Sequence, residues 1–67
     1  MKRSERKRFI LHDKSVGVYA NFEDGRITFE EDPSKAVVFD ERDNMQLKIR
    51  TYNTLTGLNF EVKELQP

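Results

Sequence analysis

The first half of the chain alternates apolar and polar positions, the period-2 pattern of strands with one solvent-facing side. Asp13 can hydrogen-bond its own backbone in a turn, and Asp24-Gly25 is a strong hairpin signal. Gly17 indicates a bulge or a close contact inside a strand. The pattern predicts a three-stranded antiparallel meander with strands at 8–12, 16–22 and 26–30 and turns at 13–15 and 23–25.

The pattern changes at Asp32-Pro33, where an N-cap residue precedes a proline suited to the first helical position. This predicts a short helical turn at 33–39. Asp40, with Asp43 three residues later, forms an imperfect capping box before a helix predicted at 41–55.

Met45, Ile49 and Tyr52 follow at i, i+4 and i+7 and would pack on the sheet, with Leu47 on the flank and Leu55 near the helix end. Gly57 suits the helix C-terminus.

A second interpretation of residues 44–56 stays open. Met45, Leu47 and Ile49 also alternate at period 2, and the threonines in this segment favour strands. Residues 45–52 would then form a C-terminal hairpin with 58–64, giving a mostly β protein. In both interpretations 58–64 is a closing strand with Leu58, Phe60 and Val62 facing inward.

We therefore predict an α+β fold, a small single domain at 8–67 preceded by a flexible basic arm at 1–7. The predicted core consists of Phe9, Leu11, Val16, Val18, Ile27, Phe29, Ala36, Phe39, Met45, Ile49, Tyr52, Phe60 and Val62.

Sixty-seven residues without cysteine allow one domain with no disulfide and no thiolate metal site. No segment approaches the roughly 18 apolar residues of a membrane span, and no signal-peptide pattern follows the basic N-terminus. We expect a cytoplasmic protein that makes no membrane contact.

The net charge is zero, but its distribution is uneven. Residues 1–14 hold six Lys/Arg and two Asp/Glu, a net of +4; residues 15–43 hold three and eight, a net of −5. Such asymmetry is consistent with an interaction surface, with solubility alone, or with self-association between basic arm and acidic body, including through an exposed edge strand.

Candidate chemistry is sparse. His12 is the only histidine, and one histidine does not make a zinc site. The acidic residues lack EF-hand spacing, and no serine or threonine has a base at a catalytic spacing. We expect no catalytic residue, no metal, no cofactor and no enzyme activity.

Two macromolecular surfaces are predicted. A basic N-terminal stretch suits nucleic-acid phosphates, although Tyr19 is the only aromatic residue expected on an outer sheet face. The acidic residues Glu30, Glu31 and Asp32 suit a basic protein partner. The candidate nucleic-acid contacts are Lys2, Arg3, Arg6, Lys7 and Arg8.

The order of apolar elements resembles that of small uncharacterised proteins encoded by phages and prophages of Gram-positive bacteria. The segments that carry the resemblance are Phe9-Ile10-Leu11, Val18-Tyr19, Ile27-Thr28-Phe29, Ala36-Val37-Val38-Phe39 and Leu58-Asn59-Phe60-Glu61-Val62. The resemblance supports the helix at 41–55. It implies an accessory role, in which the protein binds a host or phage macromolecule, and no known activity.

Overall fold

The computed structural model describes residues 7–65 and shows an α+β fold with one helix on a five-stranded antiparallel sheet. This confirms the predicted fold class. The strands are β1 (Arg8–Asp13), β2 (Val18–Glu23), β3 (Arg26–Glu30), β4 (Phe39–Asp40) and β5 (Glu61–Leu65); the helix is α1 (Met45–Thr56), and a 3₁₀ turn covers Pro33–Lys35.

Strand β1 is the centre of the sheet. Phe9 pairs with both Phe39 of β4 and Glu64 of β5, and His12 pairs with both Tyr19 of β2 and Glu61 of β5. Because a strand has two edges, β5 occupies one edge of β1 while β2 and β4 share the other. Strand β3 pairs with β2, so the predicted β1–β2–β3 meander is confirmed.

The segment 45–56 is helical, and the alternative C-terminal hairpin is wrong. Helix α1 begins after Asn44, whose side-chain Oδ1 accepts a hydrogen bond from Leu47 N at 3.2 Å. It ends at Gly57, which has a φ of 78° and donates its N–H to Asn53 O at 2.8 Å, as predicted for a helix C-terminus.

The predicted helix start at 41 is wrong, because Asp40 and Asp43 build a turn instead. Asp43 Oδ2 accepts from Asp40 N at 2.9 Å, and Asp40 Oδ1 accepts from Arg42 N at 2.8 Å. Their carboxylates therefore satisfy backbone donors ahead of the helix, and Asn44 is the N-cap.

The predicted helical turn at 33–39 is only three residues long. Asp32 caps it as predicted, but Ala36 is already extended and Val37 N donates to Ala20 O of β2 at 3.0 Å. This bond to the sheet stops the turn, and the chain continues into β4.

The predicted second strand begins too early. Residues 14–17 form the β1–β2 turn, which Gly17 closes with a φ of 83° and a 2.7 Å bond from its N–H to Asp13 O. Val16 therefore lies in a turn, 57% exposed, and not in the core. The Asp13 turn itself is confirmed, because Asp13 Oδ1 accepts from Ser15 N, Ser15 Oγ and Val16 N.

The closing strand starts at Glu61 and not at Leu58. Side chains satisfy the three preceding N–H groups: Leu58 N donates to Thr56 Oγ1, Asn59 N to Asp13 Oδ2, and Phe60 N to Asn53 Oδ1. Because these N–H groups already have side-chain acceptors, residues 58–60 form the connection between α1 and β5 and not part of the strand.

The sheet buries residues on both of its faces. Under α1 lies the main cluster, with Met45 and Ile49 packed against it as predicted. On the opposite face a smaller cluster forms, which the predicted core largely omitted. The main cluster contains Leu11, Ala20, Phe39, Tyr52 and Phe60, and the smaller one Ile10, Tyr19 and Ala36 with Leu65 against them.

Two further members of the predicted core are exposed. Phe29 is 50% and Val62 38% exposed, although both lie on the helix-facing side of the sheet by register. Both belong to outer strands, where α1 does not cover the whole face.

Candidate functional site

Helix α1 has one apolar stripe in the core and two exposed leucines outside it. Met45, Ile49 and Tyr52 pack on the sheet. Two further leucines of this helix, Leu47 and Leu55, are 52% and 70% exposed. Exposed leucines beside other exposed apolar side chains are typical of a contact surface.

Phe22 faces the same side of the molecule from the end of β2. It follows Ala20 on the helix-facing side of the sheet, but Ala20 is fully buried whereas Phe22 is 52% exposed. The strand extends past the helix, and this leaves the ring uncovered. Phe22 separates two grooves.

The first, named here the helix groove, has a volume of about 420 Å³. It lies between α1 and the end of the sheet. Its lining residues are Phe22, Val37, Phe39, Leu47, Lys48, Thr51 and Tyr52.

The second, named here the edge groove, has a volume of about 500 Å³ and lies between β3 and the end of α1. Phe29, in its wall, stacks on Phe60 with ring centroids 6.5 Å apart, so one side of the ring packs while half of its surface stays in solvent. Its lining residues are Phe22, Gly25, Arg26, Ile27, Phe29, Leu55 and Thr56.

The charged residues that line the two grooves are both cationic. Lys48 lines the helix groove and Arg26 the edge groove. Lys48 Nζ lies 5.5 Å from the centre of the Phe39 ring, a cation–π contact that holds the ammonium group beside the apolar surface. An apolar surface with a cationic border is complementary to an apolar segment carrying acidic residues.

The predicted acidic surface lies apart from both grooves. Glu30 ends β3 opposite Tyr19, and Glu31 and Asp32 are exposed. Asp32 Oδ1 accepts from Ser34 N at 3.0 Å and from Ser34 Oγ at 2.9 Å, and these bonds, with the Lys35 charge, lower the pKa of Asp32. Asp32 therefore serves the 3₁₀ turn.

Two of the predicted nucleic-acid contacts lie within the residues that the structure describes. Lys7 and Arg8 are exposed at the start of β1; Lys2, Arg3 and Arg6 lie outside the described residues.

Tyr19 lies on the outer sheet face as predicted, but the residue is only 9% exposed. It stacks on His12 with centroids 4.3 Å apart, and Lys63 Nζ lies 5.7 Å from its centre. A nucleobase needs an uncovered ring to stack on, which this tyrosine does not offer.

Within residues 7–65, no three His, Asp or Glu side chains lie close enough together to hold a metal ion. In the same part of the chain, no helix has the length and apolar character needed to cross a membrane. Comparison of the chain with protein-family models, curated proteins and solved structures finds no match.

The sequence analysis did not identify the grooves, because alternation along β2 does not show that Phe22 lies where the helix leaves it 52% exposed. The available signal was in the helix, where Leu47, two residues from both Met45 and Ile49, does not fit the Met45–Ile49–Tyr52 stripe.

Proposed function

We propose that this chain is a non-catalytic protein-binding module, a small cytoplasmic accessory protein of the phage or prophage type. The observation that carries the proposal is the helix groove, an apolar surface bordered by Phe22 and Leu47, each 52% exposed. Contiguous exposed apolar surface of this kind is typical of protein interaction sites.

The partner segment is apolar and acidic. Lys48 is the charged residue of the helix groove, and Arg50 is the other charged residue of α1, so the helix carries positive charge without negative charge. Acidic residues flanking apolar anchors in a partner would pair with this cationic border and speed encounter.

Selection from a random-peptide display library on the immobilised full chain tests the proposal. We expect enriched peptides that combine large apolar residues with Asp or Glu. Leu47→Lys should weaken binding of the synthesised peptides by at least about 10-fold, because it places a charge in the groove. Val16→Lys, at a 57% exposed position in the β1–β2 turn, is the matched control and should bind like the parent.

Two outcomes would overturn the proposal: selection that yields no peptide with measurable affinity, or peptides that bind the Leu47→Lys variant as tightly as the parent chain. Circular dichroism of both lysine variants shows whether the fold is retained.

The acidic surface of Glu30, Glu31 and Asp32 stays a prediction for steering a basic partner. Reversing all three charges should weaken binding of a basic peptide without changing binding of the acidic peptides in the helix groove.

Nucleic-acid binding through the basic arm stays the alternative. Titration with DNA and RNA oligonucleotides at increasing salt, read by amide NMR, should then shift Lys7 and Arg8, with shifts that decline as salt rises.

A further inference from the structure

Strand β3 lies at an edge of the sheet. Among residues 7–65 it pairs with β2 alone, so its other edge has no strand beside it. An open edge offers backbone N–H and C=O groups to any strand that aligns with it.

The hairpin turn shows which backbone groups are open. Asp24 and Gly25 have φ values of 52° and 76°, the two positive φ angles of a type I′ turn, which makes Glu23↔Arg26 the hydrogen-bonded pair next to it. Bonding alternates along an antiparallel pair, so the backbone groups of Thr28 also face β2. Those of Ile27 and Phe29 face the open edge.

The sequence of β3 is self-complementary. Arg26-Ile27-Thr28-Phe29-Glu30 reads cation, apolar, threonine, apolar, anion. Two copies aligned antiparallel with Thr28 at the centre place Arg26 opposite Glu30 of the other copy. Within residues 7–65, neither Arg26 nor Glu30 takes part in an ion pair.

The same register satisfies the open backbone groups. Ile27 of one copy lies opposite Phe29 of the other, and these are the two residues whose N–H and C=O groups face outward. Each of the two Ile27–Phe29 pairs forms two hydrogen bonds, and the central threonines form a non-bonded pair. A register centred on Ile27 or on Phe29 would not place Arg26 opposite Glu30. It would also not place Ile27 opposite Phe29.

We propose that the chain forms a symmetric homodimer by antiparallel pairing of β3 with β3, centred on Thr28. The second copy extends the sheet and covers the exposed side of Phe29 at the edge groove. The interface is isologous, as in most dimers. It is distinct from the helix groove, which stays open to a different partner.

A charge-swap series tests the dimer by sedimentation equilibrium of the full chain. Arg26→Glu places two like-charged pairs in the interface, and Glu30→Arg does the same, so each variant should weaken dimerisation by about 10-fold or more. The double variant Arg26→Glu/Glu30→Arg should restore it. An equimolar mixture of the two single variants should form heterodimers, because their charges then match. Arg50→Glu, a reversal on α1, is the control and should leave dimerisation unchanged.

A second pair of variants tests the backbone bonds. Phe29→Ala and Phe29→Pro both remove the ring, but only proline removes the outward N–H, and proline is tolerated on an edge strand. The proline variant should dimerise more weakly than the alanine variant.

A monomer at every concentration would overturn the proposal. So would a dimer that is insensitive to the charge swaps, or one lost in Leu47→Lys while persisting in Arg26→Glu. The peptide-binding test of the helix groove has its own readout, so either proposal can fail alone.

Discussion

The carboxylate of Asp13, at the end of β1, accepts a 2.9 Å hydrogen bond from the backbone N–H of Asn59, 46 residues further along the chain. The other carboxylate oxygen accepts three bonds from Ser15 and Val16. One side chain thus closes the β1–β2 turn and attaches the α1–β5 connection to it. Asp13 is 2% exposed, and water cannot replace these bonds without local opening.

The hydrogen bonds to the Asp13 carboxylate make the stability of the fold depend on pH. The hydrogen bond from Asn59, followed by those from Ser15 and Val16, lowers the pKa of Asp13 from 3.8 to about 2. Because the folded-state pKa lies below the unfolded value, the carboxylate stabilises the fold above pH 3.8, and this contribution is lost as the pH falls towards 2.

We expect Asp13→Asn to be less stable than the parent at neutral pH, with a difference that shrinks as the pH falls through this window. Urea denaturation at a series of pH values measures the difference. Asp24→Asn, which removes a carboxylate from the β2–β3 turn, is the matched control. A constant difference for Asp13→Asn would refute the role assigned to its ionised form.

Phe39 of β4 packs against Tyr52 of the helix α1. It is 7% exposed and meets Tyr52 edge to face, with ring centroids 5.9 Å apart. Phe39→Ala should lower the free energy of unfolding by about 3–5 kcal/mol, enough to unfold much of the protein. The neighbouring Val38→Ala, at a 49% exposed site, should melt close to the parent. Thermal denaturation followed by circular dichroism compares them, and equal melting temperatures would contradict the packing.

Asn44 should act as the cap of α1. Removing its side-chain oxygen in Asn44→Ala should cost about 1 kcal/mol, because Leu47 N then lacks its partner. Asn44→Asp keeps an acceptor oxygen and adds a negative charge at the helix N-terminus, so it should retain the stability of the parent. Urea denaturation measures both variants; an alanine variant as stable as the aspartate one would argue against the cap.

The Thr28 hydroxyl is buried without a hydrogen-bond partner among the described residues. Thr28→Val replaces it with an apolar group of nearly the same shape and should stabilise the chain by about 1 kcal/mol. The free energy of unfolding of both chains should be measured in dilute samples, in which the monomer prevails. A destabilised valine variant would show that the hydroxyl has a partner in solution.

Local signals were sufficient for much of this fold. The bounds of β3, the Asp24-Gly25 turn, the Asp32 cap and the Gly57 helix end were all predictable, because each depends on residues within four or five positions. The choice of helix for 45–56 was harder, since Met45 and Ile49 fit both the helical and the strand period, whereas Leu47 fits only the strand period.

The candidate site was less predictable than the fold. The sequence indicated charged surfaces at Glu30–Asp32 and along the N-terminal arm, and these stay predictions. The grooves around Phe22 depend on where the helix ends relative to the sheet, which no local pattern encodes.

By itself, the sequence determined the meander and favoured the α+β fold with the apolar stripe of α1 over a C-terminal hairpin, because period and turn chemistry act between near neighbours. The tertiary structure decided which alternating segments became strands and which apolar residues were covered. Leu58-Asn59-Phe60 alternates like a strand, but Thr56, Asp13 and Asn53 occupy its N–H groups. Hydrogen-bond donors and buried surface are shared across the whole chain, so these outcomes follow only once distant segments meet.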